Sequence, residues 1–109
     1  MQAIVDGRKY DTTTAEKIVS WDNGEHDPMK EYEETLYKTA RGNFFVLKAG
    51  GAQSPAAVSL PGNARGMGAK IVPIAQFQLG DWMRENEENL TIEASEKLAK
   101  YAHLDIIEA

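Results

Sequence analysis

The chain has 109 residues, a length typical of a single folded domain with a modest hydrophobic core. Hydrophobic residues make up 42% of it and charged residues 27%, which is ordinary for a globular protein. It contains no cysteine, which excludes disulfide scaffolds, thiolate zinc sites and cysteine nucleophiles. Neither a signal peptide nor a bilayer-spanning stretch of roughly 18 apolar residues is recognisable. We therefore expect a cytoplasmic protein that does not associate with a membrane.

The charges are segregated along the chain, whose net charge is −5. Residues 35–80 contain no aspartate or glutamate, whereas the segments 22–34 and 81–96 on either side are rich in both. Such segregation gives a molecule two electrostatic poles unless folding interleaves the charges and cancels the field. The basic residues of the acid-free segment are Lys38, Arg41, Lys48, Arg65 and Lys70.

The first elements in the chain are predicted to be two short strands and a helix. Residues 3–5 and 8–10 read as strands joined by a turn at Asp6-Gly7. Thr13 and Glu16 have the spacing of a capping box, and apolar residues follow at helical spacing. This pattern predicts a first helix over residues 13–22.

A β-hairpin over residues 31–49 is the strongest local prediction. Both of its arms are rich in aromatic and β-branched residues, and the three-residue loop Ala40-Arg41-Gly42 places glycine where a left-handed conformation is needed. This register pairs Tyr37 with Phe45 and Leu36 with Val46. Both faces of the hairpin therefore carry large apolar side chains. One face must pack on helices, and the other is either covered as well or offered to a partner.

The remainder of the chain is predicted to form a loop, a strand and two helices. Residues 50–69 are rich in glycine, alanine and proline, which predicts a mobile loop. Residues 70–74 read as an edge strand because they contain Pro73. Helices follow over residues 75–88 and 91–103, and the apolar tail after them is expected to dock on the core. The fold class is α+β, with one domain over residues 1–109 and a small antiparallel sheet packed with three helices.

No pattern in the sequence indicates a catalytic or metal site. His26 and His103 lie far apart and have no second ligand at a suitable spacing. The glycine-rich segment 62–70 ends in Lys70, but this lysine leads into a strand and no hydroxyl follows it, so it is not a phosphate loop. Glu33 and Glu34 point to opposite faces of a strand and cannot share a proton. We expect a protein that is not an enzyme and uses no cofactor and no metal.

Four sequence patterns suggest a family. The chain reads DGRKYDTTTAE over residues 6–16, ETLYKTARGNFF over 34–45, GGA over 50–52 and KIVPI over 70–74, before a helix that contains Trp82. This order resembles a widespread group of small uncharacterised bacterial proteins from prophages and other mobile elements, whose patterns are DGKxYDTxTAE, ETLYxTxxGxxF, GGA and KIIPL. The likeness extends to about Glu88. Residues 77–80, which tend to be acidic in the group, and the helix after Thr91 depart from it.

The resemblance implies a direction for function. Small acidic proteins of this genomic setting include inhibitors of host defence, among them anti-CRISPR proteins, which occupy a nucleic-acid or effector surface. It therefore implies a bacterial host cell and a host protein partner such as a Cas effector or complex. The expected contacts are the hairpin tip and the acidic end of the helix over 75–88, with partner-binding residues Lys38, Arg41, Asn43, Phe44, Glu85, Glu87 and Glu88.

Two other hypotheses remain open from the residues alone. The basic hairpin and the 50–69 loop together suit an accessory factor that contacts nucleic acid, since basic groups beside an exposed aromatic residue hold single strands. A sequence pI near 5.0 is low for such a binder. The other hypothesis is an enzyme with an unfamiliar site. A homodimer formed through the second face of the hairpin is compatible with every hypothesis.

Overall fold

The computed structural model describes all 109 residues and has an α+β fold built on a four-stranded antiparallel sheet. Its strand order is β3–β4–β5–β8, and the pairs β1–β2 and β6–β7 form separate two-stranded hairpins. The elements are β1 Gln2–Val5, β2 Arg8–Asp11, β3 Glu16–Asp22, β4 Tyr32–Lys38, β5 Phe44–Gly50, β6 Val58–Leu60, β7 Ala64–Gly66, β8 Gly68–Ile74, α1 Leu79–Glu85 and α2 Ile92–Tyr101, with short 3₁₀ turns at Pro61–Asn63 and Gln76–Gln78.

The predicted hairpin and its register are confirmed. Tyr37 lies opposite Phe45, and their rings stack at a centroid distance of 5.0 Å. Gly42 adopts the expected positive φ of 87°. The amide of Thr39 donates to the carbonyl of Asn43 at 2.8 Å, which closes the three-residue loop. The predicted strand that contains Pro73 is β8, and it lies at an edge of the sheet as expected.

The predicted helix over residues 13–22 is wrong, since this segment forms the edge strand β3. Instead of capping a helix, the hydroxyl and amide of Thr13 both donate to the carboxylate of Asp11, which builds a turn before the strand. The register between β3 and β4 shifts between Lys17 and Val19, as in a β-bulge. The bulge buries the consecutive residues Ile18 and Val19 in the same core, so it imitates the spacing of a helix. The structure therefore has two helices rather than three.

Both remaining helices are confirmed, although they are shorter than predicted. α1 begins only after a 3₁₀ turn and ends at Glu85, where the side chain of Asn86 donates to the carbonyl of Trp82 at 2.8 Å. α2 begins after Thr91, whose hydroxyl accepts a hydrogen bond from the amide of Ala94 at 3.1 Å, as an N-cap does. Neither helix is both long and apolar enough to cross a membrane.

The sheet is covered on both faces. On one face the two helices bury the main core, in which Leu36, Leu79 and Leu98 are fully inaccessible. On the other face the β1–β2 hairpin places Tyr10 edge-on against Phe45, at 5.5 Å between ring centroids. The second apolar face of the β4–β5 hairpin is thus covered by the chain itself. The homodimer considered above stays a prediction.

Two segments differ from expectation. Residues 50–69, expected to be a mobile loop, contain the short β6–β7 hairpin. The tail after α2 was expected to dock on the core, but Ile106 is 56% exposed and Ile107 is 85% exposed. Leu104 is the tail residue that approaches the helices, lying beside Gly80.

Candidate functional site

Three cations lie around the β4–β5 turn, namely Arg8 of β2, Lys38 at the end of β4 and Arg41 in the turn itself, and we call this group the basic tip. The ammonium of Lys38 lies 5.8 Å from the ring centre of Phe44 and 5.4 Å from that of Tyr101, so two aromatic rings hold it in place. Arg8 reaches the turn from the β1–β2 hairpin and donates to the side-chain oxygen of Asn43 at 3.0 Å. Arg41 is exposed at the apex of the turn and makes no hydrogen bond or ion pair with the rest of the chain.

The four predicted tip residues lie together but do not share one role. Lys38 and Asn43 are partly buried and engaged with neighbours, and Arg41 points freely to solvent. Phe44 is only 4% exposed and packs in the main core, with Tyr101 edge-on at 6.2 Å. Its expected role as an exposed aromatic contact is therefore wrong. The helix α2, which covers this face of the hairpin, is the physical reason.

A cleft of about 790 Å³ lies at the opposite end of the hairpin. Tyr32 at the start of β4 and Gly50 at the end of β5 form part of its wall, with further residues from the β3–β4 connection and the start of β8. Because β4 spans six residue steps from Tyr32 to Lys38, the cleft and the tip are about 20 Å apart. No lysine or arginine lines the cleft. Its lining carries the carboxylates Asp22, Glu25, Glu31 and Glu33 together with His26.

Glycines allow the walls of the cleft to approach one another. A Cβ on Gly51 would overlap the carbonyl oxygen of Pro28, which belongs to the β3–β4 connection. A Cβ on Gly68 would overlap the carbonyl oxygen of Ala56. The GGA pattern at residues 50–52 is therefore a packing requirement of the cleft end, where the backbones of different segments touch.

A buried hydrogen-bond network supports the cleft from the helix side. Glu34 is only 8% exposed, and its carboxylate accepts from the hydroxyl of Tyr32 at 2.6 Å and from the indole Nε1 of Trp82 at 2.9 Å. Burial, together with the hydrogen bond to Glu34, raises the pKa of the Tyr32 phenol. Trp21 packs edge-on against Tyr32 at 5.7 Å. The network thus connects the cleft wall to α1 through three side chains.

Sequence reasoning missed this network, although the predicted register contained a signal for it. Alternation along β4 places Glu34 on the same face as Leu36, which faces the main core. A carboxylate at a core-facing position needs hydrogen-bond donors. The hairpin alone could not identify them, because the donor on Trp82 comes from an element 48 residues further along the chain.

The predicted acidic residues lie at and just after the end of α1 that is farther from the tip. Tyr101, at the end of α2, packs at the tip and its backbone accepts a hydrogen bond from Gln76, so α1 begins near the tip. Further along α1, the indole of Trp82 donates a hydrogen bond to Glu34. Glu85 follows about one turn later, and Glu85 and Lys48 both line a groove of about 250 Å³. Beyond it, Glu85, Glu87 and Glu88 are all exposed.

Folding interleaves part of the charge, since Glu16 lies opposite Lys38 at the tip and Lys48 lies opposite Glu34, but it leaves one densely acidic region. Residues 22–33 and 85–88, which we call the acidic end, carry eight carboxylates and one lysine, a formal charge of −7. The basic tip lies beyond the other end of β4. No group of three acidic or histidine side chains is arranged to hold a metal ion. Comparisons with known proteins find no matching family model, no matching curated protein and no matching solved structure.

Proposed function

We propose that the protein is a non-enzymatic binding protein that presents its acidic end to a basic surface of a host protein. The observation that supports this proposal is the group of four carboxylates that lines the cleft, together with the three exposed carboxylates at and just after the end of α1. Asp22, Glu25, Glu31 and Glu33 line the cleft, and α1, whose Trp82 donates to Glu34 of the neighbouring strand, ends at Glu85 and is followed by the exposed Glu87 and Glu88. Like charges repel one another, so their concentration at one end has a cost that binding to a cationic partner offsets.

A basic surface that normally holds nucleic acid is the partner that suits this arrangement. Such a surface is lined with lysine and arginine, and an acidic protein surface competes with the phosphate backbone for the same side chains. Complementary charge also accelerates docking and selects among partners. The acidic surface and the resemblance of the sequence to mobile-element proteins together support a more specific proposal. We propose that the protein inhibits a Cas protein or complex in the cytoplasm of a bacterial host, that is, that it has an anti-CRISPR activity.

A plasmid-interference assay tests this proposal. The chain is expressed in bacterial strains that each carry one type of CRISPR–Cas system, and the transformation efficiency of a targeted plasmid is measured. We expect at least one system to be inhibited, with efficiency rising about tenfold or more. The combined changes Glu85→Lys, Glu87→Lys and Glu88→Lys should abolish the rise, because they reverse charges that a basic surface attracts.

The matched control carries the same change of charge elsewhere. Glu96→Lys, Asp105→Lys and Glu108→Lys alter three exposed carboxylates outside the acidic end, and this variant should inhibit as the unmodified chain does. Circular dichroism confirms that both variants are folded. Equal loss of inhibition in the two variants would exclude the acidic end as the contact, and no inhibition of any system would exclude the anti-CRISPR assignment.

Contact with nucleic acid through the basic tip is a second candidate function. The proximity of Arg8 from one hairpin and of Lys38 and Arg41 from another to the same turn favours it, since several cations near one another suit a phosphate backbone. Phe44 cannot stack on a base because it is buried. A gel-shift assay at low salt with single-stranded and double-stranded DNA tests this candidate. Binding should fall steeply with salt and weaken in Arg41→Ala, and the absence of any shift would eliminate it.

A further inference from the structure

Arg41 and the acidic cleft are complementary features of the same chain that cannot meet within one molecule. Arg41 is exposed at the apex of a narrow turn and has no partner of its own. The cleft of about 790 Å³ is lined by four carboxylates and by no lysine or arginine. The length of β4 and β5 holds the two features about 20 Å apart at opposite ends of a rigid, covered hairpin.

We propose that the basic tip of one copy docks into the acidic cleft of a second copy. The turn Ala40-Arg41-Gly42 carries no bulky side chain apart from that of Arg41, so two paired strands can approach a concave surface closely. A volume of about 790 Å³ lies within the usual range of binding clefts, about 300–1,000 Å³, and accommodates an arginine side chain and the turn behind it. The planar guanidinium matches carboxylate geometry, which makes arginine well suited to such a cleft.

The geometry determines what kind of assembly follows. The contact joins two different surfaces, so it is head-to-tail, and a docked pair still offers one free tip and one free cleft. Association therefore extends into chains or closes into rings and does not stop at a symmetric dimer. Since the cleft is also part of the acidic end, self-association would compete with the partner proposed above. The inference does not depend on that partner, because the purified chain alone tests it.

Sedimentation velocity of the purified chain at increasing concentration provides the first test. At an ionic strength of about 0.01 M, where charges interact over about 30 Å, the average mass should rise with concentration up to about 1 mM. At about 1 M salt, where that distance is about 3 Å, the chain should be monomeric. A chain that stays monomeric at low salt and high concentration overturns the proposal, and so does association that salt does not weaken.

Two variants that replace charged side chains with uncharged ones identify the two surfaces of the contact. Arg41→Ala removes the tip cation, and the pair Glu25→Gln with Glu33→Gln removes two cleft charges. Each variant alone should associate at least about tenfold more weakly than the unmodified chain, because each lacks one side of the contact. Matched controls are Arg65→Ala and the pair Asp105→Asn with Glu108→Gln, which remove the same charges from exposed positions outside the tip and the cleft lining. Controls that weaken association equally would show a general charge effect and overturn the proposal.

Mixing the two variants separates a head-to-tail contact from any symmetric one. The Arg41→Ala chain retains a cleft and the cleft variant retains a tip, so the mixture should form a one-to-one pair that cannot extend. A mixture that remains monomeric, or that grows beyond two copies, contradicts the proposed geometry.

Discussion

The two ends of the β4–β5 hairpin are built by different means. At the tip, hydrogen bonds within residues 39–43 and the positive φ of Gly42 form the turn, so the structure depends on local sequence. At the other end, three segments that are distant in sequence meet around the cleft, and glycines permit their backbones to touch. A local turn tolerates substitution at its exposed positions. An end that depends on backbone contact does not.

Substitution of glycine should reveal this difference most strongly. Gly51→Ala should destabilise the protein by about 3 kcal/mol or more, because the new Cβ overlaps the carbonyl oxygen of Pro28 and the backbone must move. Gly42→Ala is the matched change at the tip. It meets open space and should cost only about 1–2 kcal/mol for its left-handed conformation. Urea unfolding measures both values, and a smaller loss for Gly51→Ala would show that the cleft walls can separate.

The same difference explains which parts of the fold the sequence could predict. The register of the central hairpin followed from its turn residues and from alternation, both of which are local. The cleft was not foreseen, because its lining residues come from three separate segments. The sequence also does not indicate that Gly51 is needed for packing. Gly51 contacts the backbone of Pro28, 23 residues earlier, and nothing local distinguishes it from a glycine in an ordinary loop.

The β3 segment shows how a local pattern can mislead. A β-bulge places Ile18 and Val19 in one core, and together with Ala15 they repeat the spacing of a helix. The β-branched and aromatic residues of the segment favoured a strand, and pairing with β4 decided the outcome. At Phe44 the local pattern is correct but insufficient. Alternation assigns Phe44 to one face of the hairpin, and only the packing of α2 shows that this face is buried.

The Glu34 network permits a second comparison, between the loss of stability caused by substitution at buried Glu34 and that caused by substitution at the exposed Glu33 beside it. Glu34→Leu should cost about 2 kcal/mol or more, because it leaves the hydroxyl of Tyr32 and the indole of Trp82 buried without their acceptor. Glu34→Gln should cost less, since an amide can accept from Trp82 and donate to the oxygen of Tyr32.

Chemical denaturation of three variants tests this ranking. Glu33→Leu changes the neighbouring exposed residue and should alter the free energy of unfolding by no more than about 0.5 kcal/mol. A Glu34→Leu variant as stable as the unmodified chain would mean that apolar packing alone holds α1 on the sheet. Equal losses for Glu34→Leu and Glu34→Gln would mean that the charge of the carboxylate, not its acceptor capacity, matters.

Alkaline pH should distinguish the ends through their tyrosines. Burial, followed by the hydrogen bond to Glu34, raises the pKa of Tyr32 at the cleft end. The hydrogen bond to Glu16 raises the pKa of Tyr101 at the tip. Above the ordinary pKa of 10.0 the unfolded chain loses the phenol proton while the folded chain keeps it, so stability falls as pH rises. Each tyrosine that behaves in this way contributes at most about 1.4 kcal/mol per pH unit.

The loss should come mainly from Tyr32, because it is buried and Tyr101 is partly exposed to solvent. Unfolding measured between pH 9 and pH 11 should therefore show a flatter decline in Tyr32→Phe than in the unmodified chain, whereas Tyr101→Phe should change the slope much less. Tyr32→Phe will itself be less stable at neutral pH, since Glu34 loses a donor, so the slope with pH is the diagnostic quantity. Parallel declines in all three proteins would locate the alkaline sensitivity outside the Glu34 network and leave the two ends alike in this respect.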